Sequence, residues 1–220
     1  MESNNFEAIL FDIDGTLLDT FDFIYGAFEH AFEVHDIPPL PREQISAWMG
    51  GPLEEVYTAM VPGCDAPALA ETHRVFQSEN VHLATLFPAT VEVLEYLWKR
   101  RFKLGVITTR SLRTSVRTLE MTGIARYFEV IVSAEDVSNH KPHPEPLLKA
   151  LDKLGVKPER AVMVGDTYAD IMAGKNAGTK TVAALYGFGG RSLIETNPDY
   201  AIEDIRDLLN VVAELNRDSS

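Results

Sequence analysis

Cysteine occurs once in the 220 residues, at Cys64, so the chain can form neither an internal disulfide nor a multi-thiolate metal site. Basic residues are scarce: 20 Lys and Arg stand against 33 Asp and Glu, a formal charge of −13. A field of that sign repels a phosphate backbone at long range and excludes general nucleic-acid binding. It also repels small anions, unless cations are gathered at one point or a metal is bound. No run approaches the roughly 20 apolar residues that cross a bilayer. The polar start lacks the basic flank and long apolar stretch of a signal peptide. A cytoplasmic protein with no membrane partner, a monomer or homodimer, is expected. Lysine is missing altogether from residues 17–87, where Arg42 and Arg74 are the fixed cations against 11 acidic residues.

What remains is an ordinary globular composition, 45% hydrophobic and 24% charged. Residues 8–13, 103–108, 128–132, 161–164 and 180–185 are short, nearly continuous apolar runs, as in strands covered on both faces of a parallel sheet. Helical spacing lies between them, with Val91, Leu94 and Trp98 three and four apart, and Ile205, Leu208, Leu209 and Val212 later. Alternation of strand and helix from about residue 88 onward predicts an α/β sheet with right-handed crossovers. Residues 17–85 break the alternation. They show no convincing strand, and prolines and glycines separate helical patterns. The expected organisation is a Rossmann-like core over residues 1–16 and 86–220, with a helical domain inserted over 17–85.

The residues that carry chemistry fall at predicted strand ends, where open α/β sheets bind ligands. The first run ends in Asp12-Ile13-Asp14-Gly15-Thr16. Residues two apart on an extended chain point the same way, so Asp12 and Asp14 address one site. Thr108 and Thr109 close the second run, where a hydroxyl and the next backbone N–H can grip a phosphate oxygen. Lys141 sits in a proline frame, His140-Lys141-Pro142-His143-Pro144, that stiffens its segment. Gly165-Asp166 ends the fourth run, and Asp170 follows one helical turn on.

In this order the residues resemble the four motifs of the haloacid dehalogenase-like (HAD) superfamily, and the helical insert resembles its α-helical C1 cap. The tail from Ala173 to Tyr200 is similar to the phosphoglycolate phosphatase and pyrophosphatase PpaX-like branch. The resemblance implies a phosphatase acting on a small phosphorylated metabolite. Asp12 is then the nucleophile, Asp14 the acid and base, and Thr108, Thr109 and Lys141 the phosphoryl grip. Mg2+ would lie between Asp12, the backbone carbonyl of Asp14 and Asp166, with Asp170 behind. Crowded carboxylates raise one another's pKa, and a hard divalent cation with oxygen ligands relieves this. The acid/base at Asp14 argues against dehalogenase chemistry, and the lysine-free insert against a Schiff base. 2-Phosphoglycolate is the first expectation and pyrophosphate the close second. A β-phosphoglucomutase-like isomerase and a non-catalytic binding module are the other classes. Within the insert, residues 48–53 are the candidate substrate loop through Gly51, and Arg42 a candidate anion contact. Arg110 and Arg113 follow Thr108 as possible sources of positive potential. The four histidines His30, His35, His73 and His82 have no metal-ligand spacing. Gly187-Phe188-Gly189-Gly190 reads as a plain loop.

Overall fold

The computed structural model describes residues 6–46, 48 and 51–217. The chain opens with β1 (Ala8–Phe11) and a short β2 (Leu18–Asp19). Four helices follow: α1 (Phe21–Val34), α2 (Arg42–Ser46), α3 (Leu53–Met60) and α4 (Ala66–Glu79). Then come β3 (Thr85–Leu86), α5 (Thr90–Lys99), β4 (Lys103–Ile107) and α6 (Leu112–Met121). The rest is β5 (Val130–Val132), α7 (Glu145–Leu154), β6 (Ala161–Gly165), α8 (Tyr168–Ala177), β7 (Lys180–Ala184), β8 (Tyr200–Ile202) and α9 (Leu208–Leu215).

Six strands form one sheet in the order β5-β4-β1-β6-β7-β8, and every pairing is parallel. β1 is central, with Phe11 in register with Val106 of β4 and Val164 of β6. The chain leaves β1 for β4 and β5 on one side, then returns for β6, β7 and β8 on the other. That reversal is a topological switch point, and it opens a crevice at the carboxyl end of β1. Alternation along β1 separates the two cores. Ile9 and Phe11 pack with Val93, Leu94 and Leu97 of α5 and Leu208 and Val212 of α9. Ala8 and Leu10 pack on the opposite face with Leu147, Ala150 and Leu151 of α7 and Ala173 of α8.

The helices α1–α4 have their own apolar cluster, built around Phe23, Phe28, Phe32, Tyr57 and Leu69. Three features depart from the sequence reading. The ribbon β2–β3 is a real antiparallel pair, Leu18 facing Leu86 and Asp19 facing Thr85, at the two crossings between sheet and helices. Two residues per strand are too few to show alternation, and their pairing depends on chain ends far apart in sequence. On α5 the buried stripe is Val93, Leu94 and Leu97, while Trp98 is half exposed. The face is therefore turned relative to the predicted Val91-Leu94-Trp98 line. β8 also had no predicted counterpart. It is an edge strand of three residues with Tyr200 and Ala201 partly open, so no apolar run marks it.

Candidate active site

Four segments converge at the carboxyl end of β1. Asp12 follows the last β1 residue, and its N–H still bonds the Val164 carbonyl at 3.0 Å. Lys141 comes from the loop between β5 and α7. Asp166 follows β6, and Asp170 lies in the first turn of α8, where Thr167 and Asp170 cap each other reciprocally. One carboxylate oxygen from each of Asp12, Asp166 and Asp170 lies within 4.8 Å of the others, and all three residues are buried.

Every N–H of the Lys141 ammonium is used: on Asp12 Oδ1 at 2.9 Å, Asp170 Oδ1 at 2.6 Å and the Ile107 carbonyl at 3.2 Å. Burial alone would pull this lysine down, but the two carboxylates more than reverse that and hold it above the usual lysine range. Asp170 is spoken for on its other oxygen too, by the Thr167 N–H at 3.0 Å and hydroxyl at 2.6 Å. Asp166 accepts from the Thr16 hydroxyl at 2.9 Å and the Phe188 N–H at 2.8 Å. Its carboxyl is nonetheless raised well above the ordinary range, by burial and then by Asp170 and Asp12. Asp12 differs from both. Oδ1 takes the lysine, Oδ2 has no hydrogen-bond partner among the described residues, and the side chain lines the cavity. Burial, together with Asp170 and Asp14, pushes the Asp12 carboxyl up to about 7 despite Lys141.

Backbone close to these groups has no room for side chains. A Cβ on Gly15, which has φ 74°, would strike the Asp166 carboxylate, and so would one on Gly187. Three carboxylates are buried together at this point, and the one buried cation, Lys141, pairs with two of them, Asp12 and Asp170. All donors are oxygens, and one of them points unpaired into the crevice. The set fits a hard divalent cation, not a soft one.

The cavity above holds about 750 Å3. Asp12, Asp14, Thr109, Arg110 and His140 line it from the sheet side, and Phe23, Gly51, Leu53 and His73 from the helical side. Asp14 faces Arg110 in a two-point ion pair, Nε to Oδ2 at 2.6 Å and Nη2 to Oδ1 at 2.5 Å. Thr108 is buried, and its hydroxyl accepts the Arg110 N–H at 3.1 Å. Gly51 is on the cavity wall, and Met49 and Gly50 of the proposed loop lie outside the described residues. Arg113 also reaches the wall.

Arg42 does not line the cavity. It is exposed, bound to Asp22 at 3.5 Å and Glu29 at 3.2 Å, and stacked on Tyr25. The acidic surface of the helices holds it, and it is not brought to the cavity as the other candidates are. Lys141 is buried and does not line the cavity, and its three N–H groups are all bonded, so reaching a phosphoryl oxygen requires giving up one of its present partners. Three contributors have no sequence signal for their place in the site. Thr16, at the end of the first motif, donates its hydroxyl to Asp166. The loop at Gly187 and Phe188 closes on Asp166, although its spacing carries no signal for that. His73 lines the cavity, and its Nδ1 meets the Tyr57 hydroxyl at 3.0 Å.

Burial, with Arg74 and Arg110 nearby, holds His73 down to about 3. The unfolded chain takes up this proton near pH 6.5 and the folded one does not, so stability falls as pH falls below 6.5. Between pH 7 and 5, wild type is expected to lose about 1–2 kcal/mol more than His73→Gln. Urea midpoints at the two pH values measure this, and equal losses would rule it out.

Comparison with known proteins places the chain in a family. The haloacid dehalogenase-like hydrolase family pattern matches residues 9–184. A pyrophosphatase PpaX from Bacillus pumilus is 38% identical over 96% of this chain and 99% of its own length. Among solved structures, a haloacid dehalogenase-like family hydrolase from Streptococcus pneumoniae superposes with TM-score 0.85 at 27% identity, covering 94% of this chain and 98% of that one. A predicted phosphoglycolate phosphatase from Haemophilus somnus gives TM-score 0.87 over the same shares at 24% identity, which speaks to the fold. The family pattern begins in β1 and ends in β7, so it spans the whole switch point on which the carboxylates converge, and on that ground the chain belongs to the haloacid dehalogenase-like hydrolase family.

Proposed function

We propose that this protein is a Mg2+-dependent phosphatase of small phosphorylated compounds, working through an aspartyl-phosphate at Asp12. The observation that carries the reading is the unpaired Oδ2 of Asp12, facing the cavity from the centre of a buried acidic cluster. Residues 1–16 and 86–220 serve as the core and 17–85 as the cap that covers the substrate. Asp12, Asp166 and the backbone carbonyl of Asp14 would hold Mg2+, with Asp170 behind them. When bound, Mg2+ supplies positive charge to the phosphoryl oxygens and to the crowded carboxylates.

Asp12 Oδ2 attacks phosphorus, and the bond from phosphorus to the leaving oxygen breaks. Protonated Asp14 gives its proton to that oxygen. Asp14, now a carboxylate, then takes a proton from water as the water oxygen attacks phosphorus. Inorganic phosphate leaves, and Asp12 and Asp14 return to their starting states. Thr108, Thr109 and Lys141 hold the phosphoryl oxygens through both steps, a matter of position and charge more than of bond chemistry.

The curated relatives favour pyrophosphate as the substrate, since the Bacillus protein bears that name over its whole length. 2-Phosphoglycolate is the second reading, favoured by a cavity of about 750 Å3, which leaves space for an organic group. Phosphate release from pyrophosphate, 2-phosphoglycolate, a sugar phosphate and p-nitrophenyl phosphate tests the reading. One substrate is expected to lead by about 100-fold or more in kcat/KM, with release lost on chelation and restored by Mg2+. Unchanged release in a chelator, or none from any compound, overturns it.

A further inference from the structure

Asp14 has a task in the proposed reaction that its present partners forbid. An acid or base must reach the leaving oxygen within hydrogen-bond distance. Here both Asp14 oxygens are held by Arg110, at 2.6 and 2.5 Å, in the planar fork that guanidinium and carboxylate form. The fork is well seated. The Arg110 side chain is 9% exposed and that of Asp14 16%. Nη1 of Arg110 donates to Thr118 Oγ1 at 3.2 Å, and the guanidinium carbon lies 4.7 Å from the centre of the Phe23 ring on α1. The backbone N–H of Arg110 bonds the Thr108 hydroxyl, so the arginine rises from the strand end proposed to grip phosphate. Its head therefore lies between that grip and the helical cover, on the wall where the leaving part of a substrate must sit.

Resting on the phosphatase reading above, we propose that Arg110 is an anion-exchange latch that selects substrates with a second negative group. In the free protein Arg110 occupies Asp14. A carboxylate or second phosphoryl group on the leaving part of the substrate takes over the guanidinium, and Asp14, released as a carboxylate, takes a proton from solvent water and swings toward the leaving oxygen as the acid. A neutral leaving group offers nothing to exchange, and Asp14 stays bound. The substrate class is thus a phosphoryl compound whose leaving part is itself anionic. Within a chain of charge −13, an arginine already buried on the cavity wall is suited to receive such a group, because its desolvation has been met in folding. Arg113, in the first turn of α6, lines the same wall and adds potential of the same sign.

The test compares substrates that differ in that one charge. 2-Phosphoglycolate is set against 2-hydroxyethyl phosphate, and pyrophosphate against p-nitrophenyl phosphate, whose leaving group has similar basicity but no second anion. Wild type is expected to favour the anionic member of at least one pair by about 100-fold in kcat/KM, the scale of a charge-assisted two-point contact. Arg110→Met is expected to bring that ratio to within about threefold of unity, and Arg110→Lys, which keeps the charge but not the fork, to fall between. If Arg110→Met does not fold, the ratio in Arg110→Lys decides, with a drop of about tenfold expected. A ratio unchanged in either folded variant, with both substrates slowed alike, makes Arg110 a structural support and overturns the latch. No phosphate from any of the four with wild type overturns the phosphatase reading itself, which separates the two failures.

Discussion

Asp12→Asn is expected to release phosphate at no more than about one ten-thousandth of the wild-type rate, the scale seen when a covalent nucleophile is removed. The amide keeps the shape of the carboxylate but offers no anionic oxygen to attack phosphorus. The fold should survive, and the reason is in the electrostatics. Burial and the acids around it push the Asp12 carboxyl up to about 7. A group raised in this way weakens the fold as pH rises from about 4 to about 7, because the unfolded chain loses the proton first. Asparagine removes that penalty. In metal-free buffer the stability of the variant relative to wild type should therefore grow from pH 4 to pH 7 and level off above. Phosphate release and urea midpoints across that range check both halves. A folded variant with more than about one hundredth of wild-type turnover would sink the covalent mechanism.

The parts of this molecule that were legible from sequence share a physical cause. Buried parallel strands need apolar residues on both faces, so β1, β4, β6 and β7 stand out as runs, each within a residue or two of its place in the sheet. Asp12 and Asp166 were legible because carboxylates at the ends of such runs have no packing reason to be there, Lys141 because prolines frame it, and Asp170 because it follows Asp166 by one turn. The illegible parts depend on contacts between distant residues. β2 and β3 are two residues each and pair only because the helices between them fold back. Phe188 serves Asp166 through its backbone N–H, and any residue has one of those, so no side-chain pattern reveals it. Gly187 is legible only after the fact, as the place where a Cβ would meet the Asp166 carboxylate. Arg42 is ambiguous for the opposite reason. An arginine in a stretch rich in acids invites a ligand role, but the same acids are its partners. The pairing of Arg110 with Asp14 spans 96 positions and has no local signature at all.

Lys141→Met should be costly to both folding and turnover, and the two losses should respond differently to conditions. The ammonium is the shared cation of Asp12 and Asp170 and caps the Ile107 carbonyl, all within buried surroundings. Removing it leaves carboxylates facing one another without a counter-charge, and breaking one partner of a buried ion pair costs about 3–5 kcal/mol. The lysine is held above its ordinary range, so in wild type its contribution is complete at pH 8 and is lost only at still higher pH. The deficit of the variant should thus be largest near pH 8. It should shrink toward pH 5, where carboxylates already raised by burial take up protons and the repulsion disappears. Mg2+ at pH 8 should restore part of the stability by supplying charge to the same cluster. It should not restore turnover, because the metal does not replace the ammonium that positions Asp12 Oδ1 and turns Oδ2 toward the cavity. Thermal midpoints with and without Mg2+ at pH 5 and 8, beside phosphate release, distinguish these effects. A deficit independent of pH would mean that the lysine acts through packing of its chain alone, and recovery of turnover by Mg2+ would remove it from the phosphoryl grip.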